Sequence, residues 1–361
     1  MHTNNGGGNS RTAAGSHWRG MVDSTPTASR KGLVMGKTLR NKALVIGVAS
    51  SALFDLGESD TIFREQGVEA FEKYQSEHIN EPFEPGVAFP FISKLLEFNT
   101  VFSNENEGVE VVVLSRNSPK TGLRVMNSID HYHLDITRSV FRSGISPFEY
   151  MNAFNMSLFL SADEDDVKEA VAQGLPAGRV LPLTHEVQHA GESTNNDNEL
   201  RVAFDFDGVL AGDSAEQTYI EAQQIDPEKA VEIYNDHEKL RVDKPIEEGP
   251  LKHLLEGINT LQDAARAYQR EHPDADTPNL RVSLVTARSG PAQKRAVNTL
   301  ENWGLTVDDA FFLGGLDKAP FLNQLQPHIF FDDQSKNVNN YELDIPSVHI
   351  PFGIRNEQRE A

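Results

Sequence analysis

Cysteine is absent from the 361 residues, which excludes a disulfide framework, a thiolate metal site and a cysteine nucleophile. No apolar run approaches the roughly 20 residues needed to cross a bilayer, so no membrane span is expected. Basic residues are scarce: 33 Lys and Arg stand against 54 Asp and Glu, a formal net charge of −21. A nucleic-acid polymer and an anionic membrane surface are poor partners for such a chain. A small anionic substrate stays open, provided positive charge is gathered locally. The missing thiols suit a cytoplasmic location. Residues 1–41 reverse the balance, with six Lys and Arg against one acid, Asp23, and few large apolar side chains. This composition predicts a disordered tail. It also overlaps with that of a transit peptide, although no amphipathic apolar face is visible.

The chain has enough length for two domains with a sizeable core, and its centre of interest is Leu200-Arg201-Val202-Ala203-Phe204-Asp205-Phe206-Asp207-Gly208-Val209-Leu210. An apolar run with strand character ends here in two carboxylates two residues apart. Alternate strand residues share a face, so Asp205 and Asp207 can leave the strand end in the same direction. Ligands of a parallel α/β sheet bind at the carboxyl ends of its strands. Two like charges held close need a cation beside them.

Taken in order, Ala43 to Val48 reads as a strand, Asp60 to Glu77 as helical and Phe91 to Phe98 as an amphipathic helix. Val109 to Leu114 is a strong strand, Val125 to Tyr132 a helix and Met156 to Ser161 another strand. The polar stretch 185–199 reads as a linker. The programme then repeats. A strand reaches Asp205 and a helical insertion runs from about Ala215 to Ala267. Strand Leu280 to Val285 and helix Pro291 to Trp303 follow, and strand His328 to Phe331 ends in Asp332-Asp333.

The repetition extends to residues. An offset of 171 lays Ser115 on Thr286, Arg124 on Arg295, Asn127 on Asn298 and Phe159 on Phe330; an offset of 156 lays Ser51 on Asp207 and Phe63 on Tyr219. These registers predict an α/β fold of two duplicated Rossmann-like halves with parallel sheets, 42–184 and 200–361. Ala49, Ser51, Pro147, Ser161 and Ala162 stand where the second half has Asp205, Asp207, Lys318, Asp332 and Asp333. The first half therefore keeps the fold and lacks the charges. Carboxylates that packing does not require mark the second half as the catalytic one.

Asp205, Asp207, Asp332 and Asp333 converging on one sheet edge would ligate a hard cation, and all-oxygen ligation points to Mg2+. An ionised aspartate needs no activating base to attack phosphorus, and a second one two residues on can serve as general acid and base. Thr286 can donate to a phosphoryl oxygen, or simply cap a helix. Lys318 can supply positive charge, with Lys294 as its competitor. Arg288 and Ser289 are candidates for binding phosphate, Arg288 being equally readable as a surface residue.

The order Asp-x-Asp-x-Val, strand Thr, Lys, Asp-Asp resembles the haloacid-dehalogenase-like phosphohydrolase superfamily. The longer wording is similar to the cytosolic 5'-nucleotidase type I family. It comprises Leu114-Ser115-Arg116-Asn117-Ser118-Pro119, Gly122-Leu123-Arg124-Val125, Leu134-Asp135-Ile136-Thr137-Arg138, Val285-Thr286-Ala287-Arg288-Ser289, Ala310-Phe311-Phe312-Leu313-Gly314-Gly315-Leu316 and His328-Ile329-Phe330-Phe331-Asp332-Asp333-Gln334. The resemblance covers nearly all of Lys42 to Ile354. It implies Mg2+-dependent hydrolysis of nucleoside 5'-monophosphates, AMP prominent among them. On that pattern Asp205 is the nucleophile, Asp207 the acid and base, and Asp332 completes the metal site with Asp333 in support. Animal members carry Asp-Gly-Asp-Ala-Val, whereas this chain has Asp205-Phe206-Asp207-Gly208-Val209, which weakens transfer of a nucleotide preference. The resemblance further implies a helical cap inserted in the second half, about 212–279, where Tyr219, Tyr234 and His237 could stack a base or merely pack. Arg116, Asn117 and Ser118 of the first half are candidates for binding substrate, a regulatory surface or a helix cap. A phosphatase of sugar phosphates and a non-enzymatic nucleotide-binding scaffold are the competing readings, and a homo-oligomer is compatible with all three.

Overall fold

The computed structural model describes residues 42–104, 107–183 and 198–357. The tail read at 1–41 and nearly all of the linker at 185–199 lie outside the described residues. Ten strands form one sheet: β1 (Leu44–Val48), β2 (Val109–Ser115), β3 (Arg138–Phe141), β4 (Leu158–Ser161), β5 (Ala177–Val180), β6 (Glu199–Phe204), β7 (Asn279–Thr286), β8 (Asp309–Phe312), β9 (Ile329–Asp332) and β10 (Ser347–His349). Their order is β3-β2-β1-β4-β5-β10-β9-β6-β7-β8. Every pairing is parallel except β5 with β10, which is antiparallel and rests on Val348 opposite Val180 and His349 opposite Arg179. β1 and β2 are buried along their whole length, as strands covered on both faces must be.

The register is duplicated as well as the order. Leu44 opposite Val109 recurs as Leu200 opposite Leu280, and Ile46 opposite Leu158 as Val202 opposite Ile329. Ser115 opposite Phe141 recurs as Thr286 opposite Phe312. Because the two five-strand blocks meet antiparallel, their carboxyl ends open at opposite edges of the sheet. The first half's candidate residues and the acidic ends of β6 and β9 are thus kept apart by topology.

The halves at 42–184 and 200–361 lie in one sheet and share one core. Leu44, Ile46 and Val48 of β1 belong to the same buried cluster as Leu200, Val202 and Phe204 of β6. The helix Phe89–Glu97 packs on β6, and the helix Lys252–Glu271 packs on β1. Each half's crossover helix therefore covers strands of the other. Gly257 permits this approach, since a Cβ there would lie 2.7 Å from the Ala43 carbonyl oxygen. The opposite sheet faces carry separate apolar clusters, one centred on Phe159 and one on Phe330.

Two features differ from the sequence expectation. The stretch 212–279 is not all cap: Leu254, Leu255, Ile258 and Leu261 are fully buried, so Lys252–Glu271 is a core helix. What stands over the strand ends is a hairpin of helices Ser214–Ile225 and Ala230–Leu240. The first half also has such a hairpin, Gly57–Gln66 and Val68–Glu77, in place of the single helix read there. Gly67, with φ of 83°, breaks it, a conformation that costs glycine little. No described helix is long and apolar enough to cross a membrane.

Replacing Gly257 by alanine drives a methyl group into backbone rather than a yielding side chain. The expected outcome in urea unfolding is a loss of about 1–3 kcal/mol, with the transition remaining single because both halves share the disturbed core.

Candidate active site

β6 ends in Asp205, whose N–H donates to the Phe331 carbonyl at 2.8 Å and so continues the ladder with β9. β9 ends in Asp332, with Asp333 next in sequence. Neighbouring strands thereby bring acids over a hundred residues apart to one edge. Lys318, just before the helix Ala319–Leu325, reaches between them. Its Nζ donates to Asp205 Oδ2 at 2.9 Å and to Asp332 Oδ2 at 2.6 Å. Lys318, Asp205 and Asp332 are 3 %, 4 % and 0 % exposed, so each charge depends on these partners. Asp332 is fixed further by the Gln334 N–H at 2.7 Å and by Asn337 Nδ2 at 2.9 Å. The competitor Lys294 is exposed on its helix.

The cluster carries more negative than positive charge. Burial pushes the Asp205 carboxyl up, Lys318 pulls it back, and Asp332 and Asp207 add to the rise, leaving it at about 7. Burial, then the charges of Asp332 and Asp205, hold Asp333 well above the ordinary carboxylate range. Burial opposes the Lys318 ammonium, but Asp205 and Asp332 outweigh it and raise its pKa.

Asp205, Asp332 and Asp333 each offer an oxygen, and these atoms lie within 4.8 Å of one another. Asp333 Oδ1 is buried without a hydrogen-bond partner. An orphaned carboxyl oxygen, an excess of acids over bases and an all-oxygen donor set fit a hard divalent cation. Gly208 makes room for this arrangement: its φ is 74°, and a Cβ there would lie 2.6 Å from Asp333 Cγ.

Asp207 points elsewhere. Its carboxylate accepts from Arg288 Nε at 2.7 Å and Nη2 at 2.6 Å, outside the three-acid cluster. Arg288 is 3 % exposed; its Nη1 donates to Glu238 Oε2 at 2.6 Å and to the Ala292 carbonyl at 3.1 Å. It is neither a surface residue nor an open phosphate clamp, but a bridge from Asp207 to the hairpin. Glu238, fully buried on the second hairpin helix, also accepts from Arg295 Nη1 at 2.7 Å. Burial penalises its carboxylate, yet Arg288 and Arg295 prevail and lower its pKa. Tyr219 and Tyr234 meet edge to face, 6.0 Å between centroids, while His237 lies 3.3 Å from Glu238 Oε1.

Thr286 is buried at the end of β7, and its hydroxyl accepts the Arg288 N–H at 3.3 Å, which leaves the hydroxyl proton to donate. Ser289 lies half-buried beside Gly314. Arg116, Asn117 and Ser118 are not brought to this site. They line a separate cavity of about 640 Å³ at the carboxyl ends of the first half's strands, and Arg116 is held by Asp166 through Nη2 at 2.5 Å.

Hydrogen bonds also correct the equivalence of Asp207. Leu53 N–H reaches the Ala49 carbonyl, and Leu210 N–H reaches the Phe206 carbonyl. The second half thus has one extra residue after its strand, and Ser50, not Ser51, takes the place of Asp207. Asn117 Nδ2 lies 3.5 Å from Ser50 Oγ, mirroring Arg288 on Asp207. Sequence reading missed Glu238 altogether. The recurrence of Arg124 as Arg295 was the available signal: Arg124 Nη1 donates to Gln75, as Arg295 does to Glu238.

Fold and site define a Rossmann-like α/β protein with one buried acidic centre at a strand edge. Residues 35–357 match the family model described as 5'-nucleotidase, and the chain belongs to that family. It is 32 % identical over 296 residues to "Cytosolic 5'-nucleotidase 1B" of Homo sapiens, covering 81 % of this chain and 46 % of that protein. The chain thus spans about half the length of this curated relative. No solved structure matches it.

Truncating Glu238 to alanine strands two buried guanidinium groups. A loss of about 3–5 kcal/mol in denaturant unfolding is expected, with glutamine costing less because it still accepts from Arg295, as Gln75 does from Arg124.

Proposed function

We propose that the chain is a cytoplasmic, Mg2+-dependent 5'-nucleotidase of haloacid-dehalogenase-like type. It hydrolyses nucleoside 5'-monophosphates, AMP among them, to nucleoside and phosphate. The observation that carries this reading is the buried Asp205–Lys318–Asp332 bridge beside the unpartnered Asp333 oxygen, in a chain whose family is named for the reaction. The word cytosolic in the relative's name supports the location.

Asp205 attacks phosphorus as a carboxylate, forming an aspartyl-phosphate as the bond to the 5'-oxygen breaks. Asp207, having taken a proton from solvent before this step, gives it to that oxygen, and the nucleoside leaves. Asp207 then removes a proton from water, whose oxygen attacks the same phosphorus and frees Asp205 and inorganic phosphate. Lys318 balances charge on the nucleophile and the transferring group, and Thr286 donates to a phosphoryl oxygen. Asp205, Asp332 and Asp333 would hold Mg2+, which offsets repulsion between nucleophile and phosphate when bound. Arg288 couples Asp207 to the hairpin, so the acid and base is presented only as the hairpin settles over the leaving group.

Asp205→Asn tests the chemistry. Phosphate release from AMP, IMP, UMP, dTMP and sugar phosphates is expected to fall by about 10³ or more in that variant. Unchanged release would refute the assignment, and a wild-type preference for sugar phosphates would refute the nucleotide.

A second test uses pH. The Asp205 carboxyl lies above its unfolded value, so its proton stabilises the fold at low pH and that contribution is lost as pH rises through about 7. Charging it costs on the order of 4 kcal/mol without metal. Magnesium chloride is therefore expected to raise the melting temperature more at pH 8 than at pH 5.5. An equal rise at both would contradict a site built on these acids.

A further inference from the structure

We infer that the cavity over the carboxyl ends of β1, β2 and β4 is a second binding site, for an uncharged nucleoside rather than a nucleotide. The choice of nucleoside among flat hydroxylated molecules rests on the nucleotidase reading of the second half.

The cavity, about 640 Å³, has the size of a small-molecule site. Ser50, Ser115, Ser161 and Asn117 line its floor, Asn117 being half-buried and the serines buried. Its wall is the first hairpin, where Phe63 and Val68 are 48 % and 57 % exposed. Phe63 meets Phe71 edge to face at 5.7 Å, as Tyr219 meets Tyr234 across the second hairpin. The hairpin is held in the same way in both halves. Arg124 Nε donates to the Glu81 carbonyl as Arg295 Nε does to that of Lys244. Asn127 reaches the Ile79 carbonyl as Asn298 reaches that of Val242. The first half has kept the aromatic wall and its clamp while losing the groups that act on phosphate.

Charge then selects the ligand. Arg64 and Arg116 face Asp60, Glu72, Asp163 and Asp166 around the cavity, and Arg116 is already bound to Asp166 and lies 3.7 Å from Asp163. This excess of carboxylates repels a phosphate. A ring can lie on Phe63 and Phe71, and sugar hydroxyls can pair with Ser118, Asn117 and Asp163, none of which is fully buried.

Hydrogen–deuterium exchange on the full chain tests the inference, with adenosine, with AMP in chelator and with inorganic phosphate as probes. Adenosine at saturation is expected to slow exchange about threefold or more in residues 50–77 and 115–118. Ser51→Leu, which fills the cavity, and the surface change Phe63→Ala are each expected to abolish that protection while AMP hydrolysis stays within about twofold. Protection by adenosine confined to 205–219 and 286–289 would overturn the site, as would equal protection of the first half by AMP or phosphate. If the wild type releases phosphate from no nucleotide while adenosine still protects 50–77, the site stands and the nucleotidase reading falls.

Discussion

A buried ammonium held between two buried carboxylates is the constraint on which the centre of this molecule depends. Lys318 cannot sit at 3 % exposure unless Asp205 and Asp332 both face it, because an unpaired charge in the interior costs several kcal/mol. The bridge therefore fixes the ends of β6 and β9 and the loop before Ala319 relative to one another. It also leaves a residue of negative charge. Three clustered carboxylates against one ammonium raise the proton affinity of Asp205 and Asp333, and a divalent cation is what removes that imbalance.

The first half shows how the same backbone stands without such a bridge. Ser161 replaces Asp332, yet its hydroxyl still accepts the Asp163 N–H as Asp332 accepts that of Gln334. Ser50 and Asn117 stand in for Asp207 and Arg288. Each strand-end turn needs only a hydrogen-bond acceptor, which a neutral hydroxyl supplies without desolvating a charge. The carboxylates of the second half are thus retained at a cost that packing does not require. That asymmetry is the strongest internal argument for chemistry there.

The hairpins connect chemistry to the fold. In the second half Glu238 receives both Arg288 and Arg295, so the helix over the site and the side chain holding Asp207 move as one network. In the first half Gln75 receives Arg124, and Asn117, at the place of Arg288, is neutral. One hairpin is thereby coupled to the Asp207 carboxylate, while the other frames a polar and aromatic recess.

The linear chain by itself determined the strongly apolar strands β1, β2, β6, β7 and β9, the long amphipathic helices, the duplication and the acids at strand ends. Each of these is written in local periodicity or in direct recurrence of residue types. Tertiary structure decided the rest. Strands β3, β5 and β10 are short and interrupted by polar residues, Arg138 and Ser139 in the first, Arg179 in the second, Ser347 and His349 in the third, so no apolar run announces them as Ile329-Phe330-Phe331 announces the equally short β9. The antiparallel contact of β5 with β10 sends the two sets of strand ends to opposite edges, and so separates Arg116, Asn117 and Ser118 from Asp205. Asp207 turns from the acidic cluster to Arg288, 81 positions along the chain. Whether a buried glutamate gathers two arginines depends on a helix standing fifty residues away in the chain. Such choices rest on long-range geometry and on the cost of isolated charge, neither of which a run of neighbouring residues contains.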